Sequence, residues 1–366
     1  MIRMTGLLVL VALLGLAAGR ADAQGIDTQN EIALFGAPLQ TARAVLAIDG
    51  STDTEVFAPI LEAFAKRVPD VAIRYREITT NELYDLAERG CSGAEPAADL
   101  VVSSSIDQQV KLANDGCAQP NHSAAVSALP AWAKWRDEVV GLTYEPAVIV
   151  YNRDLVAPAQ VPRSRFDLID LLRPADNPFN GRIGTYDIEA SGVGYLFAFV
   201  DAQQATTFGR LIEAFGRNKV VATCCSAEII DDVASGRFLI AYNMLGSYAL
   251  VRAAEDHRIG IVAPSDYTLI LSRAALIPKR AKNAELARQF IDFALSGAGR
   301  RSLSESGLLV SFDDAGGGLA ALSGAVPTLR PIALSPALLI GLDRQTRDNF
   351  LALWRSSLGG ADPEAR

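Results

Sequence analysis

Short apolar runs alternate with amphipathic stretches along most of the chain. Residues 44–48 (AVLAI) are continuously apolar and short enough to be a strand buried on both faces. A turn of Asp49, Gly50, Ser51, Thr52 and Asp53 follows. Residues 55–67 then place Phe57, Ile60, Leu61 and Phe64 at helical spacing. Residues 71–77 read as a second strand, 81–89 as a helix, 99–103 (DLVVS) as a buried strand, and 108–115 as a helix ended by Gly116. The pattern continues with strands at 147–152, 182–185, 219–222 and 239–242. Between them lie an apolar helix at 195–200 and a helix that Ser226 caps, with Glu228 in its first turn. Late in the chain Ala287, Phe290, Ile291 and Ala294 fall on one helical face, which Ser296-Gly297 ends. Alternation of strand and helix predicts an α/β architecture.

The amino end departs from this pattern. Arg3 gives a positive start, residues 7–18 are apolar, and Ala21-Asp22-Ala23 forms an A-x-A cleavage site before Gln24. The apolar run is shorter than the roughly 20 residues that span a bilayer. We therefore expect residues 1–23 to be a cleaved secretory signal and the protein to be periplasmic. No cysteine near the cleavage site suggests a lipid anchor. Residues 24–43 form a polar arm containing Gly36 and Pro38, expected to lie over the first domain.

About 343 residues remain after cleavage, enough for two domains. Half of the chain is hydrophobic and the formal net charge is −8, so a large core can form and no basic stripe offers itself to nucleic acid. Acidity overall does not exclude an anionic ligand, because helix ends and one or two arginines make a cleft locally positive.

The four cysteines are Cys91, Cys117, Cys224 and Cys225. A helix that runs back antiparallel to its strand finishes near the strand's start. Cys91 precedes the strand at 99–103 and Cys117 follows the next helix, so both lie at one edge of the sheet. A Cys91–Cys117 disulfide is the expectation for an exported chain, against two free buried thiols. Adjacent Cys224 and Cys225 sit between a strand and a helix. They are either a strained vicinal disulfide with a stiff apolar edge or two thiols packed at a strand end.

Several stretches, taken in order, resemble the extracytoplasmic solute-binding proteins of bacterial ABC importers. Residues 279–296 (KRAKNAELARQFIDFALS) resemble a late signature of that family. Residues 139–152, ending in Tyr151-Asn152, resemble its crossing strand. Residues 166–184 match its W-x-D-L pattern loosely, with Phe166 where tryptophan is usual. Residues 229–236 (IIDDVASG) match its V-A-x-G-E helix end, with Arg237 replacing the glutamate. The resemblance covers roughly residues 44–356. It implies a two-lobed type II periplasmic binding protein fold with a hinge of crossing strands. Residues 44–143 and 266–366 would form lobe 1, and 144–265 lobe 2. The nearest cluster within the family is similar to binders of ferric iron, sugar phosphates and phosphonates. Implied partners are a small-molecule ligand and either an ABC permease or the periplasmic domain of a sensor kinase, with the protein itself a monomer.

In open α/β lobes, ligands sit beyond the carboxyl ends of the strands, where loops enter helix N-termini. Four such turns stand out, at 49–52, 103–105, 187–194 and 223–226. Each combines hydroxyls with unpaired backbone N–H groups, a setting for phosphate, phosphonate or carboxylate. The candidate contacts are Ser51, Thr52, Ser104, Asp187, Ser191, Gly192, Cys225 and Ser226. Tyr242 and Tyr248 join them from the region where the family places second-lobe ligands. The plainer reading makes the hydroxyls ordinary helix caps and the tyrosines half-buried packing. Arg182, Lys219 and Arg252 stand as anion partners or as solvated surface charges.

Iron-binding relatives carry adjacent tyrosines, and this chain has no Tyr-Tyr pair. Its two histidines, His122 and His257, read as surface residues. We therefore expect no protein-held metal and no cofactor, with a ferric complex held through an anion as the alternative. No G-x-S-x-G elbow, H-E-x-x-H or Walker loop occurs. A hydrolase using Asp187 or Glu189 is the less favoured reading, so we expect a binder and not an enzyme.

Overall fold

A computed structural model describes residues 32–310 and 327–358. The expected signal sequence lies outside the described residues. Among those described, no helix is long and apolar enough to cross a membrane.

The chain first builds one sheet from β1 (Ile32–Gly36), β2 (Ala44–Gly50), β3 (Val71–Glu77), β4 (Leu100–Ser103), β5 (Ala118–Gln119), β6 (Lys134–Trp135) and β7 (Val139–Gly141). Helices α1 (Thr54–Arg67), α2 (Thr80–Ser92), α3 (Ile106–Asn114) and α4 (Ala124–Ser127) alternate with these strands. β8 (Glu145–Asn152) leads into a second sheet with β9 (Ile183–Tyr186), β10 (Val221–Thr223), β11 (Ile240–Leu245) and β12 (Ile259–Val262). Its helices are α5 (Arg165–Leu171), α6 (Gly192–Gln204), α7 (Phe208–Arg217), α8 (Ser226–Ser235) and α9 (Gly246–Glu255). β13 (Thr268–Leu271) joins the second sheet beside β8, and β14 (Ala274–Pro278) returns to the first, followed by α10 (Ala284–Leu295) and α11 (Gly297–Glu305). β15 (Leu329–Pro331), α12 (Leu339–Leu342) and α13 (Arg344–Ser357) complete the described chain.

The strand order is β1-β3-β2-β4-β14-β7-β6 in the first sheet, with β5 on β14. In the second it is β10-β9-β11-β8-β13-β15, with β12 on β8. β2 is parallel to β3 and β4, so the chain leaves Gly50, Glu77 and Ser103 at one rim. β9 is parallel to β10 and β11, so Tyr186, Thr223 and Leu245 share a rim of the second sheet. This mixed α/β pair of lobes is the fold class expected from the alternation.

Burial explains the elements. Leu46 and Ile48, on one face of β2, are fully buried, whereas Val45 and Ala47 on the other face are half-buried. The apolar face of α1 packs on α10: the rings of Phe64 and Phe290 meet edge to face, 5.2 Å apart. Disulfide Cys91–Cys117 joins the last turn of α2 to the segment after α3, with Cα atoms 5.3 Å apart.

Two segments differ from the sequence reading. The described part of the amino-terminal arm contains β1, which pairs antiparallel with β3 from Ile32–Arg76 to Gly36–Ala72 and closes the edge of the first sheet. Its alternation of exposed and half-buried residues is too short to stand out from turn-rich flanks. At the other end, α13 packs on the second lobe although the reading assigned residues 266–366 to the first. Phe350, Leu351 and Trp354 form one apolar cluster with Ile188, Tyr195 and Phe208.

Candidate ligand site between the lobes

The two rims face each other, and helices α1, α2, α3, α6 and α8 start at them. Between the rims lies a cavity of about 90 Å³. Ser51, Asp53, Thr79, Thr80 and Ser104 line it from the first lobe. Tyr186, Ser191, Cys224, Cys225, Ser226 and Tyr248 line it from the second. Each helix turns the positive end of its dipole towards this space, although Glu77 accepts the Thr54 N–H of α1, and Thr80 and Ser191 accept the Gly192 and Gly194 N–H groups of α6. A larger cavity of about 320 Å³ lies on the flank, walled by Asp107, Phe199, Leu269 and Ile332, away from the strand ends.

Direct hydrogen bonds cross between the lobes around the cavity. The Gly192 N–H donates to Thr80 Oγ1 at 2.9 Å. Asn81 Nδ2 donates to the carbonyls of Glu189 and Ala190 at 3.0 and 2.9 Å. The Tyr248 hydroxyl donates to Asp53 Oδ1 at 2.7 Å and accepts the Asp53 N–H at 3.1 Å. Gly192 is required by close approach: a Cβ there would lie 2.2 Å from Ser105 Oγ.

Behind the first-lobe wall sits a buried ion pair. Arg273, at the return from β13 to β14, donates through Nε to Glu145 Oε1 at 2.9 Å and through Nη1 to Thr52 Oγ1 at 2.9 Å. Both charged side chains are fully buried. Thr143 Oγ1 donates to Glu145 at 2.6 Å, and the Ser247 hydroxyl donates to its other oxygen. Burial works against the charge of Arg273, but Glu145 and neighbouring Tyr248 hold its pKa above the usual range. Burial pushes the Tyr248 phenol well up and the Tyr186 phenol up to about 12, so both remain protonated at neutral pH.

Six of the ten residues selected from sequence line the cavity: Ser51, Ser104, Ser191, Cys225, Ser226 and Tyr248. Several of their hydroxyls already have partners. Ser191 Oγ accepts the Gly194 N–H as the cap of α6, Ser51 Oγ accepts the Ser104 N–H, and Ser226 Oγ bonds the Tyr186 hydroxyl at 2.6 Å. Gly192 stands at the lobe contact just described. Thr52 lies one layer deeper, on Arg273. Asp187 shapes its own loop by accepting the Glu189 N–H at 2.9 Å. Tyr242 points away from the cavity into the second lobe, where its hydroxyl donates to Asp201 Oδ2 at 2.6 Å beside buried Arg165.

The three cations considered from sequence lie elsewhere. Arg182 donates to the Gly236 carbonyl, Arg252 pairs with Asp231 and Glu255, and Lys219 follows the end of α7. His122 is exposed beside Asp137. Among the described residues no group of three His, Cys, Asp or Glu side chains could hold a metal ion. Sequence reading missed Asp53, Thr79, Thr80, Tyr186 and Arg273, and took in Cys224 only as part of the 223–226 turn. The strand-end rule applied to the β3–α2 turn would have found Thr79 and Thr80. Nothing local marks Arg273, which reaches the site from 221 residues beyond Thr52.

Residues 46–309 match the family described as bacterial extracellular solute-binding protein. The crystal structure of the substrate-binding protein of an ABC transporter from Agrobacterium tumefaciens is 36% identical, with a TM-score of 0.82 over 90% of this chain and 98% of that one. Iron-bound HitA from Pseudomonas aeruginosa is 19% identical, with a TM-score of 0.64 over 86% and 99% of the two chains. The periplasmic binding protein AfuA from Actinobacillus pleuropneumoniae, solved with fructose-6-phosphate bound, is 16% identical, with a TM-score of 0.66 over 87% and 100%. These last two likenesses establish the fold alone. No curated protein sequence matches the chain significantly.

Proposed function

Because the chain belongs to the bacterial extracellular solute-binding proteins, we propose that it captures a small organic anion between its lobes and presents it to an ABC permease. Members of this family are binders and not enzymes. The observation that carries the anion reading is the convergence of five helix N-termini on one interlobe cavity. Asp53 is the single carboxylate lining that cavity, so a fitting ligand also donates hydrogen bonds, through hydroxyl or amine groups. Sugar phosphates and aminophosphonates meet both demands, and AfuA, of the same fold, was solved with fructose-6-phosphate.

Capture proceeds by rigid-body closure about β8 and the β13–β14 return. A ligand touching both rims adds to Thr80–Gly192 and Tyr248–Asp53 the contacts that hold the lobes together. The permease reads the closed form. A sensor kinase reading the same form is the alternative partner. We take the protein to act in the periplasm as a monomer after removal of residues 1–23, a reading that rests on the amino-terminal sequence.

A ferric complex is the second reading. Tyr186 and Tyr248 both face the cavity, and phenolate oxygen suits Fe³⁺. Both hydroxyls bond within the protein, so iron entering with an anion such as citrate fits better than iron alone.

Thermal unfolding against fructose 6-phosphate, 2-aminoethylphosphonate, inorganic phosphate, citrate and ferric citrate tests this function. One of these anions raises the midpoint in proportion to the logarithm of its concentration and is recovered unchanged. No rise with any of these anions, against a rise with glucose or calcium chloride measured beside them, would replace the anion reading.

A further inference from the structure

The two disulfides occupy different environments. Cys91 and Cys117 pack against the main apolar core. Cys224 and Cys225 are bonded to each other and line the interlobe cavity, each half-buried. Cys225 stands at the N-cap of α8, yet its side chain accepts no hydrogen bond from the helix. Its φ is +74°, a conformation disfavoured for any residue with a Cβ. A serine or threonine cap would satisfy the first amides of α8 itself; this sulfur pair leaves them directed at the cavity.

The cavity has two unlike walls. The first-lobe wall carries Ser51, Asp53, Thr79, Thr80 and Ser104. On the second-lobe wall the hydroxyls of Ser191, Ser226 and Tyr186 are engaged within that lobe. The Tyr248 hydroxyl is taken by Asp53, so what that wall has left to offer is the α8 amides and, among side chains, the sulfur pair with Val193, Ala227 and Leu245. A disulfide has no donor, is polarisable and, when vicinal, is rigid, so it makes a flat apolar contact.

We propose that the Cys224–Cys225 disulfide is a ligand-contacting plate that selects anions bearing a compact carbon face over bare inorganic anions. This rests on the anion reading of the cleft. The anionic group meets the helix N-termini, and the C–H face lies on the sulfurs. The bond also holds Cys225 at its positive φ, and with it the start of α8 at the cavity. Reduction by a phosphine in water cleaves the S–S bond, gives two thiols and converts the phosphine to its oxide. It loosens both the plate and the α8 amides.

Titration calorimetry of the full secreted chain with fructose 6-phosphate, 2-aminoethylphosphonate and inorganic phosphate tests this. It is run before and after mild phosphine treatment, with alkylation and mass measurement verifying that Cys224 and Cys225 alone are reduced. A C224A/C225A variant is measured beside it, and its melting curve verifies folding. We expect one of the organic anions to bind about tenfold or more tighter than phosphate, and that margin to vanish on reduction and in the variant. An organic anion that binds equally well in all three forms overturns the plate while leaving the anion reading intact. Phosphate binding as tightly as both organic anions also overturns it. If neither these three probes nor citrate binds, the anion reading falls and this proposal falls with it.

Discussion

The Gly192 N–H of the second lobe donates to Thr80 Oγ1 of the first, 2.9 Å away, at a point where a Cβ on residue 192 would lie 2.2 Å from Ser105 Oγ. The same missing Cβ would lie 3.0 Å from the side chains of Asn81 and Gln108. Glycine is used here for approach between two bodies, not for a positive φ.

Gly192→Ala therefore acts on closure. The methyl group clashes with the first lobe only when the lobes meet, at a cost of about 1–3 kcal/mol of overpacking. We expect the affinity for the anion selected by thermal shift to fall roughly 5- to 150-fold. Small-angle scattering should show a smaller radius of gyration for the wild type at saturating ligand than without ligand; an unchanged radius would mean that closure plays no part. In the variant, the ligand-induced contraction shrinks or disappears.

Much of the fold was legible because its signals are local. Residues 71–77 have the bounds of β3, and the Phe57, Ile60, Leu61 and Phe64 face of α1 is buried as its spacing predicts. The site was legible through the strand-end rule, which found the serines of four turns, and through the family resemblance, which offered Tyr248 and Tyr242. The resemblance did not carry over to Tyr242, because β11 is irregular: its pairing with β8 shifts register between Ala241 and Met244, and Asn243 has φ +62°. Alternation along a regular strand cannot foretell which way Tyr242 turns across such a shift. Tyr186 was passed over because a tyrosine ending an apolar strand reads as packing. Glu145 and Arg273, 128 residues apart, become a pair only when β8 and the β13–β14 return cross at the hinge.

That pair makes a stability prediction. Both side chains are fully buried, so Glu145→Gln strands the Arg273 charge, and Arg273→Leu strands Glu145. Either single change should cost about 3–5 kcal/mol. Replacing both by apolar residues, as in E145L/R273M, should recover most of the loss, since no charge is then left unpaired. Urea unfolding of the three variants checks this. Equal losses in single and double variants would mean that the pair does not act as a unit.

Disulfide Cys91–Cys117 closes a segment with a sequence separation of 26. Loop-closure entropy at that length corresponds to about 3.5 kcal/mol. We expect C91A/C117A to lose about 2–4 kcal/mol in denaturant unfolding, with ligand affinity unchanged, because the bridge lies in the core and not on the cavity. A drop in affinity without a drop in stability would contradict this placement.

Asp107, in the first turn of α3, is 2% exposed, and one of its carboxylate oxygens has no hydrogen-bond partner. Burial raises its carboxyl to about 7, against the smaller opposing effects of two backbone N–H groups and the more distant Arg347. The sign follows from proton counting. Between about 4 and 7 the folded chain holds a proton on Asp107 that the unfolded chain has released, so stability falls as pH rises through that window. Below it both states are protonated and the difference disappears; above it both are ionised and the penalty stays constant. Asp107→Asn cannot ionise and should be the more stable protein at pH 8 by a few kcal/mol. The difference between the two unfolding free energies should close as pH is lowered towards 4. Parallel curves for wild type and D107N over that range would show that Asp107 is ionised in the folded protein throughout.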